Sequence, residues 1–251
     1  MKLVIAGWKS VSLVDVYGYT SFTIWTCGCN LKCPFCHNWR LADNDPSVCY
    51  AVDVEELIEE CTSSRLLVDY LHVTGGEPLI QAQGLVELFK RAESIGVKRS
   101  LNSNLTMPRQ LEHLLSKNLV EHVATDLKIP PEELYGVEPQ LAVELWTRFL
   151  ESISLTRNHD VQLELRIPLS RKLTPMLLEF YLDRVAHLLN IDNTVVLLNP
   201  LLGEPIVKPR NPEWCKKNCG VGNSEINEYV EVVKQKGFKK IVIKSVPGFQ
   251  R

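Results

Sequence analysis

The stretch Cys27-Gly28-Cys29-Asn30-Leu31-Lys32-Cys33-Pro34-Phe35-Cys36-His37-Asn38 decides how the chain is read. Four cysteines fall within ten residues. A structural zinc site normally takes two ligand pairs, the second well downstream of the first. Cys29, Cys33 and Cys36 instead form a compact C-x3-C-x2-C triple. A short loop with these gaps can wrap three corners of a cubane iron–sulfur cluster. Three thiolates would leave one iron open, where four would fill the cluster. An open iron suits ligand binding and activation rather than plain electron transfer. Two other readings of the spacing stand beside it: zinc with Cys27 as fourth ligand, and a filled, ferredoxin-like electron carrier.

Around this loop the composition is that of a globular protein. The chain has 251 residues, 45% apolar and 23% charged. At about 150 residues per domain that means one large or two small domains, and it argues against disorder, collagen and coiled coil. No apolar run approaches the roughly 18 residues of a membrane span. The apolar start meets Trp8-Lys9 too early for a signal peptide, so a cytoplasmic protein without a membrane partner is expected. A chain of this length buries its own core without disulfide staples. Its eight cysteines therefore point to metal or redox chemistry. Charge is uneven: residues 1–205 carry 18 basic and 26 acidic groups, residues 206–251 carry 10 and 4. Most such basic runs are solvated faces, but this one also leaves a nucleic acid or an acidic partner as an expectation.

The hydrophobic pattern alternates strand and helix. Phe22–Thr26 reads as a strand running into the cysteine loop. Asp53 opens a helix with Glu56 three residues on, a capping-box arrangement, and Val54, Leu57, Ile58 and Cys61 stripe it. Leu71–Thr74 is a strand ending at Gly75-Gly76. Leu85, Leu88, Phe89 and Ala92 mark a helix stopped by Gly96. Strands at 97–101, 121–127, 161–167 and 195–198 alternate with helices at 108–117, 141–153, from Thr174-Pro175, and at about 225–236. Ile241–Ile243 follows. Six strands each followed by a helix predict a parallel α/β sheet, doubly wound or curled into a partial barrel. In both, function sits at the carboxyl ends of the strands. Glu77, Ser103-Asn104, Asp126-Lys128, Arg166 and Asn199 all lie at or after such ends, so one active rim is expected.

Two of these groups, Glu77 and the Asp126–Lys128 pair, suit a charged, zwitterionic ligand. Glycines at 75 and 76 permit close backbone approach. The Glu77 carboxylate can pair with an ammonium group. Strand alternation would put Asp126 and Lys128 on one face, able to neutralise each other and to bind opposite charges. A strand-end cap at 103–104 and a surface ion pair at 126–128 are the plainer alternatives.

Taken together, Cys29-x3-Cys33-x2-Phe35-Cys36 after a first strand resembles the signature of the radical S-adenosylmethionine superfamily. Its fold is a partial (β/α)6 barrel, here expected over 1–205 with a basic extension, 206–251, packed on it. The resemblance implies a [4Fe-4S] cluster on Cys29, Cys33 and Cys36, and S-adenosylmethionine cleaved reductively to a 5′-deoxyadenosyl radical. Gly75-Gly76-Glu77 resembles the turn that grips the methionyl amino group. Ser103-Asn104-Leu105 resembles the Thr-Asn-Gly turn of the glycyl radical enzyme activating branch, with Leu105 departing from its glycine. Asp126-Leu127-Lys128 resembles that branch's Asp-x-Lys motif, and Arg166 its strand arginine. Phe35, His37-Asn38 and Asn199 also match cofactor- or substrate-facing positions. Ser12–Asp15 and Gly18 look like the entry of the anaerobic ribonucleoside-triphosphate reductase activating proteins, with Tyr17 where a proline is common. The likeness spans about residues 7 to 200. It implies a glycyl radical enzyme as protein substrate and a flavodoxin or ferredoxin-like reductant. Only 38 residues separate Cys36 from Gly75, too few cysteines for two added clusters. The alternatives are a radical enzyme modifying tRNA or a peptide, and a non-catalytic zinc or iron–sulfur module. Cys215-x3-Cys219, in a polar, proline-rich stretch, reads as a redox pair, part of a second metal site with Cys49 or Cys27, or two unpaired thiols.

Overall fold

The strand feeding the cysteine loop is the second of the chain. In the computed structural model, which describes residues 1–159 and 161–244, β1 spans Lys2–Val16 and β2 Tyr19–Thr26. They pair antiparallel from Ile5↔Thr26 to Val16↔Tyr19, with three register shifts. Such irregularities break the period-two pattern, which hides a long strand from sequence inspection. α1 (Trp39–Ala42) and β3 (Tyr50–Asp53) follow the loop. β3 pairs antiparallel with Lys2–Ile5. β1 and β3 lie outside the six expected strand–helix units.

Apart from α5 and α8, where the sequence predicts no helix, the remaining elements fall close to their predicted places. They are α2 (Val54–Ser64), β4 (Tyr70–Gly75), α3 (Ala82–Ser94), β5 (Lys98–Asn102), α4 (Pro108–Leu115) and β6 (His122–Asp126). Then come α5 (Pro131–Leu134), α6 (Pro139–Asn158), β7 (Gln162–Leu169), α7 (Pro175–Ala186), β8 (Thr194–Pro200), α8 (Pro212–Asn218), α9 (Asn223–Gln235) and β9 (Lys240–Ile243). α2 buries Val54, Leu57, Ile58 and Cys61. α3 buries Leu85, Leu88, Phe89 and Ala92. Each large apolar side chain fully buried in this way contributes about 1.5–3 kcal/mol. The Thr174 hydroxyl accepts from the Leu177 amide ahead of Pro175, as expected. The capping box at Asp53 does not form, because Asp53 makes no side-chain cap bond. It is the last residue of β3, and its carboxylate lies 3.7 Å from the Lys2 ammonium.

The chain divides into two compact units, residues 1–30 with 38–124 and residues 31–37 with 125 onward. In the first the strands run in the order β3-β1-β2-β4-β5-β6, with β2, β4, β5 and β6 parallel. The register Thr26↔Gly75 sets the end of β2 beside the end of β4. In the second, β7, β8 and β9 are parallel neighbours. β6 carries the chain from one unit to the other. The last part of the basic tail, 245–251, lies outside the described residues.

Candidate functional site

In the first unit, Gly75, Gly76, Glu77, Ser103 and Asn104 come together with Cys29. Gly75 has φ +116, and a Cβ there would stand 2.3 Å from the Thr26 carbonyl oxygen. A Cβ on Gly76 would stand 2.0 Å from the Gly28 carbonyl oxygen. That carbonyl accepts the Glu77 amide at 2.7 Å. Both positions therefore need glycine for backbone packing against the start of the cysteine loop. Glu77 is fully buried. Its carboxylate accepts from the Leu79 amide (3.0 Å), the Ser103 hydroxyl (2.8 Å) and the Asn104 amide (2.6 Å). It ties the end of β4 to the turn after β5. Leu105 takes the left-handed conformation, φ +56, so the turn expected to need glycine is made by leucine.

That turn aims the Asn104 side chain at the loop. Its Nδ2 lies 2.8 Å from Asn30 Oδ1 and 3.9 Å from Cys29 Sγ. Its Oδ1 accepts from the Thr106 amide (3.0 Å) and hydroxyl (2.6 Å). Asn30 Nδ2 donates to Thr106 Oγ1 at 2.7 Å. Sequence reasoning did not single out Asn30 or Thr106. Asn38 precedes α1 without a side-chain cap bond.

The second unit carries Cys33, Phe35, Cys36, His37, Asp126, Lys128, Arg166 and Asn199. The loop here is held by its backbone: Cys36 N–H to Cys33 O, Lys32 N–H to Tyr135 O, Arg210 N–H to Cys36 O and Asn211 N–H to Pro34 O. Gly136, at φ +66, allows the contact, since a Cβ there would lie 2.0 Å from Lys32 O. Phe35 packs against Leu201, Cys215, Cys219 and Trp214. The Asp126 carboxylate pairs with the Lys128 ammonium at 3.0 Å. Strand alternation is not the cause, because β6 ends at Asp126 and the Lys128 amide folds back onto the Asp126 carbonyl. Burial pushes the Asp126 carboxyl up, but Lys128, Arg166 and His37 together outweigh it and hold it below the usual range. The Arg166 guanidinium pairs with Glu164, which is almost fully buried, at 2.6 Å. Glu164 was not anticipated, and an alternating apolar strand gave no signal for it. Asn199 sits near the end of β8, opposite Pro168. His37 is exposed. A cavity of about 630 Å³ beside Lys32 and Pro34 is also lined by Glu132, Glu133, Lys172, Arg210 and Trp214. None of these was a predicted site residue.

The eight cysteines sort by chemistry. Cys27 is bonded to Cys49, and Cys215 to Cys219. Neither pair joins the other, and Cys27 is in a disulfide rather than poised as a zinc ligand. Cys61 lies in the apolar stripe of α2, and burial pushes its thiol up to about 12. The thiols left to this loop are Cys29, Cys33 and Cys36. Three soft donors with this spacing fit an iron–sulfur cluster with one open iron. Among the described residues no three His, Cys, Asp or Glu side chains are already gathered as metal ligands. Among those residues too, no helix is long and apolar enough to cross a membrane. Four lysines of the basic tail form ion pairs: Lys216 with Glu213, Lys234 with Glu231, Lys236 with Glu179 and Asp183, Lys239 with Asp192.

The sequence is similar to several known proteins. A Methanocaldococcus jannaschii protein named "Putative glycyl-radical enzyme activating enzyme" is 27% identical over 168 residues, 66% of this chain and 68% of that one. A Hyperthermus butylicus 7-carboxy-7-deazaguanine synthase is 37% identical over 108 residues, 41% and 42% of the two chains. A Staphylococcus epidermidis pyruvate formate-lyase-activating enzyme is 32% identical over 103 residues, 38% and 39%. The chain thus spans under half the length of the last two. Among solved structures, Streptococcus suis SuiB bound to precursor peptide SuiA superposes with TM-score 0.60 at 16% identity, over 88% of this chain and 47% of that one. Native anSMEcpe with bound AdoMet and a peptide gives 0.55 at 14% identity, over 88% and 63%. These likenesses show the fold, an α/β partial barrel of the radical S-adenosylmethionine type. The sequence pattern of the Radical SAM superfamily matches residues 23–185, and the chain belongs to that superfamily of enzymes, which work with a [4Fe-4S] cluster and S-adenosylmethionine.

Proposed function

We propose that the chain activates a glycyl radical enzyme, drawing a hydrogen atom from a backbone glycine of that partner, with anaerobic ribonucleoside-triphosphate reductase as the partner of choice. The observation that carries this reading is the 27% identity to the M. jannaschii protein, which extends over about two thirds of both chains. In this reading Cys29, Cys33 and Cys36 hold the cluster. When bound, the cluster and S-adenosylmethionine supply a 5′-deoxyadenosyl radical. The chain's own groups bind and orient. The Asp126–Lys128 pair offers opposite charges 3.0 Å apart to a zwitterion. Arg166 presents a guanidinium already oriented by Glu164. Phe35, His37, Asn38 and Asn199 line the cofactor, and Gly75, Gly76, Glu77, Ser103 and Asn104 shape its methionyl end. A flavodoxin or ferredoxin-like protein is the reductant.

The test pairs the chain with a reductase encoded beside it. Under reducing, anaerobic conditions with S-adenosylmethionine, a glycyl signal should grow in the reductase by electron paramagnetic resonance. A reductase that stays radical-free, while the chain still cleaves S-adenosylmethionine, contradicts the partner and leaves the enzyme class standing. The 37% identity to a 7-carboxy-7-deazaguanine synthase favours a small-molecule substrate as the second reading. Formation of 7-carboxy-7-deazaguanine by the reconstituted chain would favour it.

A further inference from the structure

Asn104 stands out because its amide has no spare capacity and no freedom of orientation. A side-chain amide has an oxygen with two lone pairs and a nitrogen with two N–H donors. The Thr106 main-chain N–H can only donate, so the atom 3.0 Å from it must be Oδ1. The Thr106 hydroxyl takes the second lone pair at 2.6 Å, and is itself directed by the Asn30 amide at 2.7 Å. The NH2 group is thereby turned the other way. One hydrogen serves Asn30 Oδ1 at 2.8 Å and the other faces Cys29 Sγ at 3.9 Å. Asn30, Thr106 and Asn104 close a ring of hydrogen bonds beside the first cysteine of the triple. Asn104 is nearly buried and Thr106 fully so, so water does not compete strongly for these donors. The turn is fixed from the other side by Glu77, which accepts the Asn104 main-chain amide.

We propose that Asn104 is a positioning residue for Cys29: its amide donates an N–H to the Cys29 sulfur, orients that thiolate, and raises the reduction potential of the cluster it carries. The inference rests on the reading of Cys29 as a cluster ligand. Hydrogen bonds to cluster sulfurs stabilise the more negative, reduced state, so they raise the potential. Asn104 in this role serves the protein's own thiolate, and its side-chain amide is fully used before any cofactor arrives.

The experiment measures iron content and the cluster midpoint by redox titration followed with electron paramagnetic resonance. Wild type is compared with Asn104→Asp, Asn104→Ala, Thr106→Val and Cys29→Ala. Asn104→Asp keeps the acceptor for Thr106 and loses the donor; Asn104→Ala loses both but adds no charge. Both should take up iron, yet at the wild-type midpoint their reduced-to-oxidised ratio should fall at least tenfold. Thr106→Val loosens the ring but leaves the amide nitrogen, so its ratio should stay within about twofold of wild type while its melting temperature drops. Equal ratios in wild type and both Asn104 variants overturn the inference. So does a Thr106→Val shift as large as theirs. If both Asn104 variants lose iron while Thr106→Val keeps it, orientation of Cys29 is supported; loss from all three overturns it. Cys29→Ala tests the underlying reading separately, because full iron in that variant removes Cys29 from the ligand set.

Discussion

Gly76 is the position where one methyl group should do most harm. Its Cβ would meet a main-chain carbonyl at 2.0 Å, and backbone cannot swing aside as a side chain can. Gly76→Ala should therefore cost about 2 kcal/mol or more, read as a lower denaturant midpoint in the iron-free protein. A variant as stable as wild type would contradict the packing described. The Asp126 carboxyl gives a second residue-scale prediction. Burial pushes it up, but Lys128, Arg166 and His37 hold it low. A carboxyl lowered in the folded state adds stability above its unfolded value, near 4, and that contribution is lost as pH falls through the folded value. Lys128→Met removes the nearest cation, so Asp126 should titrate at higher pH, and its share of the acid loss of stability should shrink. A carboxyl-carbon NMR titration measures the first, and denaturant midpoints across acid pH the second. The sequence showed Gly75, Gly76, Glu77 and Asp126 as motifs, but not the reasons for them. It could not show Asn30 or Thr106, because their bonds to Asn104 depend on Leu105 adopting a left-handed backbone.

Element boundaries were legible where one face is buried and the period is regular. α2 and α3 carry the stripes that the sequence displays, and Thr174-Pro175 marks its helix start. β1 was not legible, since its register shifts scatter the apolar positions. The segment of α8 reads as polar and proline-rich, although Asn211-Pro212 is a start signal: the Asn211 side chain accepts from the Trp214 amide. Asn211→Ala should cost about 1 kcal/mol, measured by thermal unfolding, and leave iron binding unchanged. Disulfide pairing was beyond the sequence too, because four cysteines allow three connectivities. Cys27 and Cys49 are 22 residues apart. By chain entropy, closing a loop of that length stabilises by about 3 kcal/mol. Cys49→Ser should lower stability in oxidising buffer and change nothing once wild type is reduced. An equal deficit in reductant would contradict the bond.

At the scale of the whole molecule, the α/β class and the superfamily were legible because the signature follows a strand and the later strand ends carry polar groups in series. Two of the tail's lysines face acids outside it, Lys236 towards Glu179 and Asp183, and Lys239 towards Asp192. Binding to tRNA should accordingly be weak and fade steeply between low and physiological salt; tight binding that persists in salt would favour a nucleic acid substrate. The central claim is that three cysteines turn this fold into a radical enzyme. Its most direct measurement is 5′-deoxyadenosine released after anaerobic iron–sulfur reconstitution, with S-adenosylmethionine and dithionite. The account predicts about four irons per chain and 5′-deoxyadenosine from wild type, with both lost in Cys29→Ala, Cys33→Ala and Cys36→Ala. Zinc as the sole metal bound, with no 5′-deoxyadenosine from the reconstituted chain, would contradict it.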